Sequence, residues 1–173
     1  FQPDLAALDR ACEGARVLMI NTPHNPTGAV YAPETIEAVA ETATGDDVRA
    51  RNGISIKISA LHPKYDPAHF EGSAEAFYGA LKSLALAAKA GNIGLNIDAE
   101  EADRLEISME LFERLARDSD LDGYDGLGFV VQAYGKRATA TIEWLDALSR
   151  ETDRQLMVRI VKGAYWDAEI KHA

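Results

Sequence analysis

The sequence predicts an α/β fold: a partial (β/α)8 barrel of about four strand–helix units, preceded by a short strand–loop–helix segment. Four short segments alternate between aliphatic residues and small or polar residues, which is the period of a β-strand. A helical pattern follows each of them, and units in this order form a parallel sheet with right-handed crossovers. Each strand also carries a polar residue near its carboxyl end, where barrel enzymes build their active sites.

The aliphatic sides of the predicted strands are expected to form one continuous surface. The strands lie at residues 53–60, 93–98, 127–132 and 156–161. In a (β/α)8 barrel one side of each strand meets the helices, and we expect the aliphatic side to be that one. Its members are Ile54, Ile56, Ile58, Ile93, Leu95, Ile97, Leu127, Phe129, Val131, Leu156, Val158 and Ile160.

The opposite side of each strand combines small residues with a polar residue near the strand end. The small residues are Ser55, Gly94 and Gly128, and the polar residues are Lys57, Asp98, Gln132 and Arg159. We expect the four polar residues to occupy equivalent positions at the mouth of the barrel. A buried cation is costly without a partner or a polar cavity. An inward lysine and arginine therefore suit an anionic ligand or an electron-rich cofactor.

Each of these polar residues also has a structural interpretation. Asp98 and Glu101 have the spacing of a helix capping box, and for Asp98 alone the cap is favoured. Lys57 could be exposed on an edge strand, Gln132 could be an ordinary polar strand end, and Arg159 could form a structural ion pair with Asp98. The shared site is favoured because these interpretations explain the residues only one at a time.

Helical patterns connect the strands and precede the first one. The pattern at residues 100–117 is amphipathic, with apolar residues at steps of three and four. An open doubly wound sheet is the competing fold, although it seldom places a polar residue on the inward side of every strand. The predicted helices are residues 3–14, 33–43, 68–90, 100–117 and 136–151, and a short strand is predicted at residues 17–20.

Composition indicates a globular protein and excludes several classes. The 173 residues are 47% hydrophobic and 27% charged, with a net charge of -10, which argues against a nucleic-acid partner. Cys12 is the only cysteine, so no intrachain disulfide is possible and the cytoplasm is expected. No apolar run has membrane-span length, and no metal-ligand spacing or phosphate-binding glycine motif occurs. The chain begins at Phe1 and stops at Ala173 inside a helical pattern, so both ends are expected to be cut.

Residues 1–34 resemble a fragment of the pyridoxal-phosphate-dependent class I/II aminotransferases. The resemblance lies in Val17 to Tyr31, which contains the run His24-Asn25-Pro26-Thr27-Gly28. It implies that Asn25 would hydrogen-bond the hydroxyl of the cofactor ring. The Schiff-base lysine segment of that family has no counterpart, and covalent pyridoxal-phosphate chemistry needs that lysine. We therefore expect an aminotransferase fragment here rather than a functioning aminotransferase.

The remaining sequence resembles the proline dehydrogenase domain of bacterial bifunctional proline-utilisation flavoenzymes. The matching blocks are residues 53–63, 96–106, 131–137 and 158–166, in the family's order. The resemblance implies a distorted (β/α)8 barrel that holds FAD. It also implies oxidation of L-proline to Δ1-pyrroline-5-carboxylate by hydride transfer to the flavin, with electrons passed to a membrane quinone.

The resemblance assigns roles to residues at the strand ends. It places Lys57, Asp98 and Tyr165 at the substrate as catalytic residues, with Lys57 near the proline carboxylate, and it places Arg159 near flavin N5. Hydride transfer would then depend on positioning and on flavin electrostatics rather than on a nucleophile. The implied cofactor contacts are Asp98, Ala99, Val130, Gln132, Arg159, Val161, Lys162, Gly163, Ala164, Tyr165 and Trp166, and no metal is implied.

The resemblances divide the chain into three parts and limit its expected activity. Residues 1–34 form the aminotransferase-like fragment, residues 35–52 a joining helix and linker, and residues 53–173 the N-terminal half of the FAD-binding barrel. The family's later strands, and its last helix with a tyrosine and paired arginines that hold the carboxylate, have no counterpart. We therefore expect a truncated, weakly active or inactive proline dehydrogenase. A non-catalytic fragment that self-associates through open sheet edges is an alternative. The expected location is cytoplasmic, with peripheral inner-membrane contact in the full-length family.

Overall fold

A computed structural model describes residues 4–12, 33–42, 45–61, 65, 70 and 72–167. The strand predicted at residues 17–20 and the run containing Asn25 lie outside the described residues. The helices are α1 (Leu5–Cys12), α2 (Pro33–Thr42), α3 (Ala74–Ala90), α4 (Leu105–Ala116) and α5 (Ala138–Thr152). The strands are β1 (Gly53–Ile56), β2 (Gly94–Ile97), β3 (Leu127–Gln132) and β4 (Met157–Val161), and 3-10 turns lie at Ile58–Ala60, Ala102–Arg104 and Ser119–Leu121.

The four strands form one parallel sheet in the order β1-β2-β3-β4, which confirms the predicted succession of strand–helix units. The register aligns Ser55 with Asn96, Asn96 with Gly128, and Gly128 with Met157. Residues at one level of a parallel sheet point to the same side. A single row of small and medium side chains therefore crosses the sheet on the side opposite the helices.

The helix-facing side of the sheet holds the hydrophobic core. The aliphatic residues predicted for this side of β1, β2 and β3 are all buried, together with apolar residues of α3, α4 and α5. Phe112 of α4 packs edge-on against Phe129 of β3 with ring centroids 5.2 Å apart, and Trp144 of α5 lies 6.1 Å from Phe129. This aromatic cluster fixes α4 and α5 on the sheet beside β3.

The fourth strand departs from this arrangement. Val158 and Ile160 were expected to face helices, but they are 43% and 61% exposed. In the described part of the chain, the helical residues after β4 are Trp166 and Asp167. The alternation in the sequence therefore fixed which residues share a side of β4, but not whether a helix covers that side.

Several element boundaries differ from the predicted ones. Strand β1 ends at Ile56, because the chain turns into a 3-10 helix at Ile58, and α3 begins at Ala74 rather than near residue 68. The helix after β2 begins with a 3-10 turn whose N-cap is Glu101. The capping-box interpretation of Asp98 is therefore wrong, and its carboxylate is available to the strand ends.

A buried arginine ties together the opposite rim of the sheet. Arg154, which precedes β4, is only 8% exposed. Its guanidinium donates hydrogen bonds to the main-chain oxygens of Ala116, Asp118 and Leu121 and to the carboxylate of Asp122. These acceptors lie at the end of α4 and in the turn that leads to β3, so one side chain stabilises that connection.

Helix α2 belongs to the same packed body as the sheet. Val39 of α2 is fully buried in the core, and Ala40 is packed so closely against Gly91 that a β-carbon at position 91 would lie 2.6 Å from it.

The N-terminal end of α1 is capped by Asp4, whose carboxylate accepts hydrogen bonds from the backbone N–H groups of Ala6 and Ala7. Across the residues described, none of the helices has the length and apolar character needed to cross a membrane.

Candidate active site at the strand ends

Three charged side chains meet at the carboxyl ends of β1, β2 and β4. The Asp98 carboxylate lies 3.1 Å from Arg159 Nη2 and 3.7 Å from Lys57 Nζ. The same Nη2 of Arg159 donates to Ser55 Oγ at 3.0 Å. The structure therefore brings together Lys57, Asp98 and Arg159, as the shared inward side predicted. It also confirms the predicted ion pair between Arg159 and Asp98, which bridges β4 to β2.

Tyr165 joins this group from the loop after β4. Lys57 Nζ donates to the Tyr165 hydroxyl at 2.8 Å and lies 3.5 Å from the main-chain oxygen of Ala99. Burial lowers the pKa of Lys57, but the hydrogen bond to Tyr165 and the negative charges of Asp98 and Glu100 outweigh it, so the net pKa is raised. Lys57 is therefore a firmly protonated cation beside a hydroxyl, with a side chain 32% exposed.

Gln132 lies farther along its strand than Lys57, Asp98 and Arg159 do along theirs, whereas equivalent positions were predicted for all four. Ile56 pairs with Ile97, so Lys57 and Asp98 are level, and Val130 of β3 pairs with Arg159. Gln132 pairs instead with Val161, two residues farther along. The expectation of four equivalent polar positions is therefore wrong for Gln132. The register between strands cannot be deduced from the sequence, because the helix–loop connections differ in length. Buried Val130 occupies the β3 position in the charged row.

Gln132 belongs to a second row of hydrogen bonds above the charged one. Its Nε2 donates to the main-chain oxygen of Glu100 at 2.8 Å, and its Oε1 accepts from the backbone N–H of Ala164 at 2.9 Å. The Glu100 carboxylate in turn accepts from the backbone N–H of Ser59 at 3.0 Å. This second row links the ends of all four strands.

Sequence reasoning missed Glu100 as a member of this region. Its side chain is only 3% exposed, although glutamate is among the residues least often buried. A signal was present, because Glu100 continues the alternation of Asn96 and Asp98 on the inward side. The capping-box interpretation assigned residues 98–101 to a helix start and obscured that continuation.

The loop after β4 is shaped by a close contact with the loop after β3. Gly163 has φ +122, and a β-carbon there would overlap the ring of Tyr134. Tyr134 also packs edge-on against Trp166 with ring centroids 5.7 Å apart. The backbone N–H of Tyr134 donates to the main-chain oxygen of Lys162 at 3.2 Å. Position 163 therefore requires glycine, both for its conformation and for space.

A largely apolar cavity of about 610 Å³ opens beside the second row. It lies between the carboxyl end of β3 and the first turns of α4 and α5, with Trp166 on one side. Of the residues predicted to contact a cofactor, Ala99, Val130, Gln132 and Trp166 line it. The other predicted cofactor contacts lie in the charged row or on the segment from Val161 to Tyr165.

The geometry combines cations, one carboxylate, an amide and an apolar cavity. Lys57 and Arg159 can bind an anionic group, while Asp98 can orient a cationic one. Since these side chains face a single mouth, the arrangement suits a small zwitterion. In the described residues the same mouth offers an arginine and a glutamine to the polar edge of an electron-rich ring.

Comparison with protein-family models gives two matches. The proline dehydrogenase model matches residues 28–173, and the aminotransferase class I and II model matches residues 1–49. The proline dehydrogenase match covers every strand of the sheet and both rows of strand-end residues. The two matches overlap at residues 28–49, which contain α2.

Curated relatives and solved structures agree with the larger match. The chain is 51% identical over 140 residues to the bifunctional protein PutA of Salmonella typhimurium, covering 81% of this chain and 11% of that protein. It is 57% identical over 122 residues to bifunctional protein PutA of Rhizobium meliloti, covering 70% and 10%. The chain thus spans about a tenth of the length of these relatives.

A crystal structure of Proline Utilization A (PutA) from Bradyrhizobium japonicum superimposes with a TM-score of 0.78 at 45% identity, covering 82% of this chain and 14% of that one. PutA from Bdellovibrio bacteriovorus superimposes with a TM-score of 0.72 at 23% identity, which supports the fold alone. The family model matches most of the chain, including all four described strands, and the chain belongs to the proline dehydrogenase family.

Proposed function

We propose that this chain carries the flavin- and substrate-binding strand ends of an FAD-dependent enzyme that oxidises L-proline to Δ1-pyrroline-5-carboxylate. The observation that carries the proposal is the cluster of Lys57, Asp98 and Arg159. It lies at the carboxyl ends of strands that match the proline dehydrogenase family. Barrel enzymes place their chemistry at this rim.

The charged row suits proline as a substrate. Proline carries a carboxylate and a secondary ammonium a few ångströms apart, and the row presents cations beside one carboxylate. Lys57 is the group proposed for the substrate carboxylate, because it is protonated and its neighbour Tyr165 can share the hydrogen bonding. Asp98 is the group proposed to orient the ring nitrogen.

The neighbouring residues suit a flavin. An isoalloxazine has a polar edge of nitrogens and carbonyls and an apolar ring surface, and Arg159, Gln132 and the apolar cavity offer both kinds of contact. Gly163 permits the loop backbone to lie against the ring of Tyr134, where a β-carbon would overlap that ring. We propose that Arg159 lies near flavin N5 and that residues 161–166 line the cofactor.

The residues of this chain contribute orientation rather than covalent chemistry. Bound FAD would supply the oxidising power that removes two electrons from the ring C–N unit of proline. Lys57 and Asp98 would hold the substrate so that its reacting carbon faces the cofactor, and such positioning is worth several kcal/mol in favourable cases. The Arg159 guanidinium would place positive charge at the cofactor edge where electron density increases.

Titration with FAD and then with L-proline under anaerobic conditions tests this proposal. We expect FAD to bind weakly, and we expect L-proline, but not D-proline, to bleach the bound flavin slowly. The variant Lys57→Met should bind FAD and lose the bleaching, whereas Lys89→Met should keep it, because Lys89 Nζ donates to the main-chain oxygens of Asp120 and Asp122, away from the site. Bound flavin that is indifferent to L-proline would contradict the proposal.

Electron transfer to a membrane quinone is the proposed second half-reaction. The support is the family match, and the proposed location is the cytoplasm with peripheral contact at the inner membrane. Reoxidation of proline-reduced protein by a soluble quinone analogue, followed by flavin absorbance, tests the acceptor. Co-sedimentation with vesicles of bacterial lipid tests the membrane contact, and recovery of all protein in the supernatant would remove it.

We propose that the chain self-associates through the open edges of its sheet, of which β4 forms one. Val158 and Ile160 present apolar surface there, and strand edges readily pair with other chains. Light scattering should show concentration-dependent oligomers that Ile160→Lys weakens. Ile142→Lys changes an exposed isoleucine of α5 and should have no effect. A monomer at every concentration would contradict self-association.

We also propose that residues 1–34 are an aminotransferase-like fragment, that residues 35–52 join it to the barrel, and that residues 53–173 are half of that barrel. The support is that the two family matches overlap at residues 28–49, while α2 is packed into the core. Removing residues 1–32 should leave the denaturant midpoint nearly unchanged. A large decrease would move the boundary. Pyridoxal phosphate trapped on a lysine by borohydride would instead support an aminotransferase role.

A further inference from the structure

We infer that Glu100 is a positioning residue for this site. Its buried carboxylate holds the turn that carries Lys57 in place, and its main-chain oxygen holds the side chain of Gln132 in place. The inference rests on the proposed function, because the residues that Glu100 would position are those proposed to bind substrate and flavin. The lysine-reactivity test described below does not depend on that function. Glu100 follows β2, and its Oε1 accepts the backbone N–H of Ser59 at 3.0 Å. Ser59 lies two residues after Lys57, in the 3-10 turn that ends the first strand.

The carboxylate is built into the fold rather than exposed to solvent. The side chain of Glu100 is 3% exposed, and its second oxygen lies 3.4 Å from Arg104 Nη1. The Arg104 guanidinium stacks on the ring of Tyr65 at 5.2 Å, and Tyr65 is hydrogen-bonded to Ser108 at 2.8 Å. A buried carboxylate needs such partners, and they leave Glu100 little freedom to move.

The same residue reaches the other half of the sheet through its main chain. Gln132 Nε2 donates to the Glu100 oxygen, and Gln132 Oε1 accepts from Ala164. A connected series of hydrogen bonds therefore runs from Ser59 through Glu100 and Gln132 to Ala164. It crosses the ends of all four strands one level above the charged row. Removing its first link leaves the Lys57 turn held to the residues after β2 by the contacts of Lys57 Nζ with Asp98 and Ala99, which fix its position less firmly.

The reach and the charge of Glu100 can be separated by substitution. Glu100→Gln keeps the length and an oxygen acceptor for Ser59 but removes the charge. Glu100→Asp keeps the charge but is one methylene shorter. Glu100→Ala removes both. Tyr65→Phe is the matched control, because it removes a neighbouring buried hydrogen bond without touching the series.

Reactivity of the Lys57 amine toward acetic anhydride, mapped by mass spectrometry relative to exposed Lys136, reports the position of Lys57. If Glu100 positions the segment, Glu100→Asp and Glu100→Ala should raise the reactivity about threefold, because the displaced turn no longer holds the amine beside Tyr165 and Asp98, which raise its pKa. Tyr65→Phe should match the original chain, and Glu100→Gln should show a smaller rise than Glu100→Ala, because the loss of the Glu100 charge alone lowers the pKa of Lys57. Equal reactivity in every variant would overturn the inference, and so would increases in Glu100→Gln and Glu100→Ala without one in Glu100→Asp.

Flavin affinity gives a second measurement on the Gln132 side. Titration with FAD should show binding about tenfold weaker in Glu100→Asp and Glu100→Ala, with recovery in Glu100→Gln, because small displacements at a binding site have large effects. Equal FAD affinity in all variants would restrict Glu100 to the Lys57 side and contradict the Gln132 half of the inference. If the original chain binds no FAD, the proposed function fails, while the Lys57 reactivity still decides the role of Glu100.

Discussion

Two arginines, Arg154 before β4 and Arg159 within it, show how the two rims of this sheet differ. Arg154 is 8% exposed and donates mainly to main-chain oxygens at the end of α4. Arg159 has a side chain 44% exposed, and its described partners are the side chains of Ser55 and Asp98. The first arginine completes the backbone hydrogen bonding of a connection, and the second presents charge at an open mouth.

The contrast between the two arginines follows the general division of labour in barrels. In barrels, residues at the amino-terminal ends of the strands mainly stabilise the fold, and residues at the carboxyl-terminal ends bind ligands and catalyse reactions. The residue type is the same, so the role depends on what the guanidinium meets. Main-chain carbonyls of a turn cannot move away, whereas Asp98 and Ser55 are side chains that a ligand can engage or displace. Stability and ligand binding should therefore separate in variants of the two arginines.

Arg154→Ala should have the largest effect on folding. It leaves buried carbonyls without donors, and breaking a buried charged network typically costs about 3 to 5 kcal/mol in the free energy of unfolding. Urea denaturation followed by circular dichroism measures this loss. Arg150→Ala, which removes a 78% exposed arginine from α5, is the matched control and should leave the midpoint unchanged. A small effect of Arg154→Ala would remove the contrast between the two rims.

Gly163→Ala should have the next largest effect, and at the other rim. The residue lies at φ +122 and its side chain would overlap Tyr134, so the loop must move, with backbone strain of about 1 to 3 kcal/mol. FAD affinity should fall with only a modest change in the unfolding midpoint. Gly79→Ala on α3 has free space and should instead stabilise the protein by about 0.5 to 1 kcal/mol. Unchanged flavin affinity in Gly163→Ala would separate this loop from the site.

Arg159→Met should reverse the pattern of Arg154→Ala. Its ion pair with Asp98 is partly exposed, so the free energy of unfolding should change by less than about 1 kcal/mol. Loss of the proposed charged hydrogen bond from Arg159 to the flavin should weaken FAD binding by about 1.5 to 3 kcal/mol, which is roughly a factor of 10 to 150. Fluorescence titration of FAD measures the change. A variant that loses stability but keeps its flavin affinity would make Arg159 a second structural arginine.

The smallest predicted effect is a pH dependence near Arg154. Hydrogen bonds from Lys82 and Tyr78 lower the pKa of Asp118 to about 2, against about 3.9 in an unfolded chain. Because the folded pKa is the lower one, the stabilisation is complete above about pH 4 and is lost as the pH falls toward 2. Asp118→Asn should flatten the stability profile in that window and lower stability at pH 7 to 8, where the contribution of the Asp118 carboxylate is complete. A parallel profile for the variant would contradict the assignment to Asp118.

Most of the fold could be predicted from the sequence, because strand alternation and helix periodicity depend on residues only two to four positions apart. The four strands, their order and the burial of residues such as Ile97 and Phe129 follow directly. The level of Gln132 did not follow, since register depends on the geometry of the connections. The exposure of Ile160 did not follow either, because alternation says nothing of what lies opposite.

The charged row was predictable and the hydrogen-bonded row above it was not. Lys57, Asp98 and Arg159 share one side of their strands, and charge on a strand is conspicuous in a sequence. Glu100 and Arg154 lie in connections, where charged residues are common and a buried one cannot be distinguished from an exposed one. Their burial became evident only from packing, at 7% and 8% exposure.

The order of the sheet has a consequence for how the chain is made. Each of β2, β3 and β4 pairs with the strand that immediately precedes it in the chain. Such a sheet can grow during synthesis, because every new strand finds its partner already released from the ribosome. Among the described strands, β2, β3 and β4 can each pair on one side without waiting for a later segment. Ordered growth of this kind also keeps the newest edge as the place where aggregation is most readily initiated.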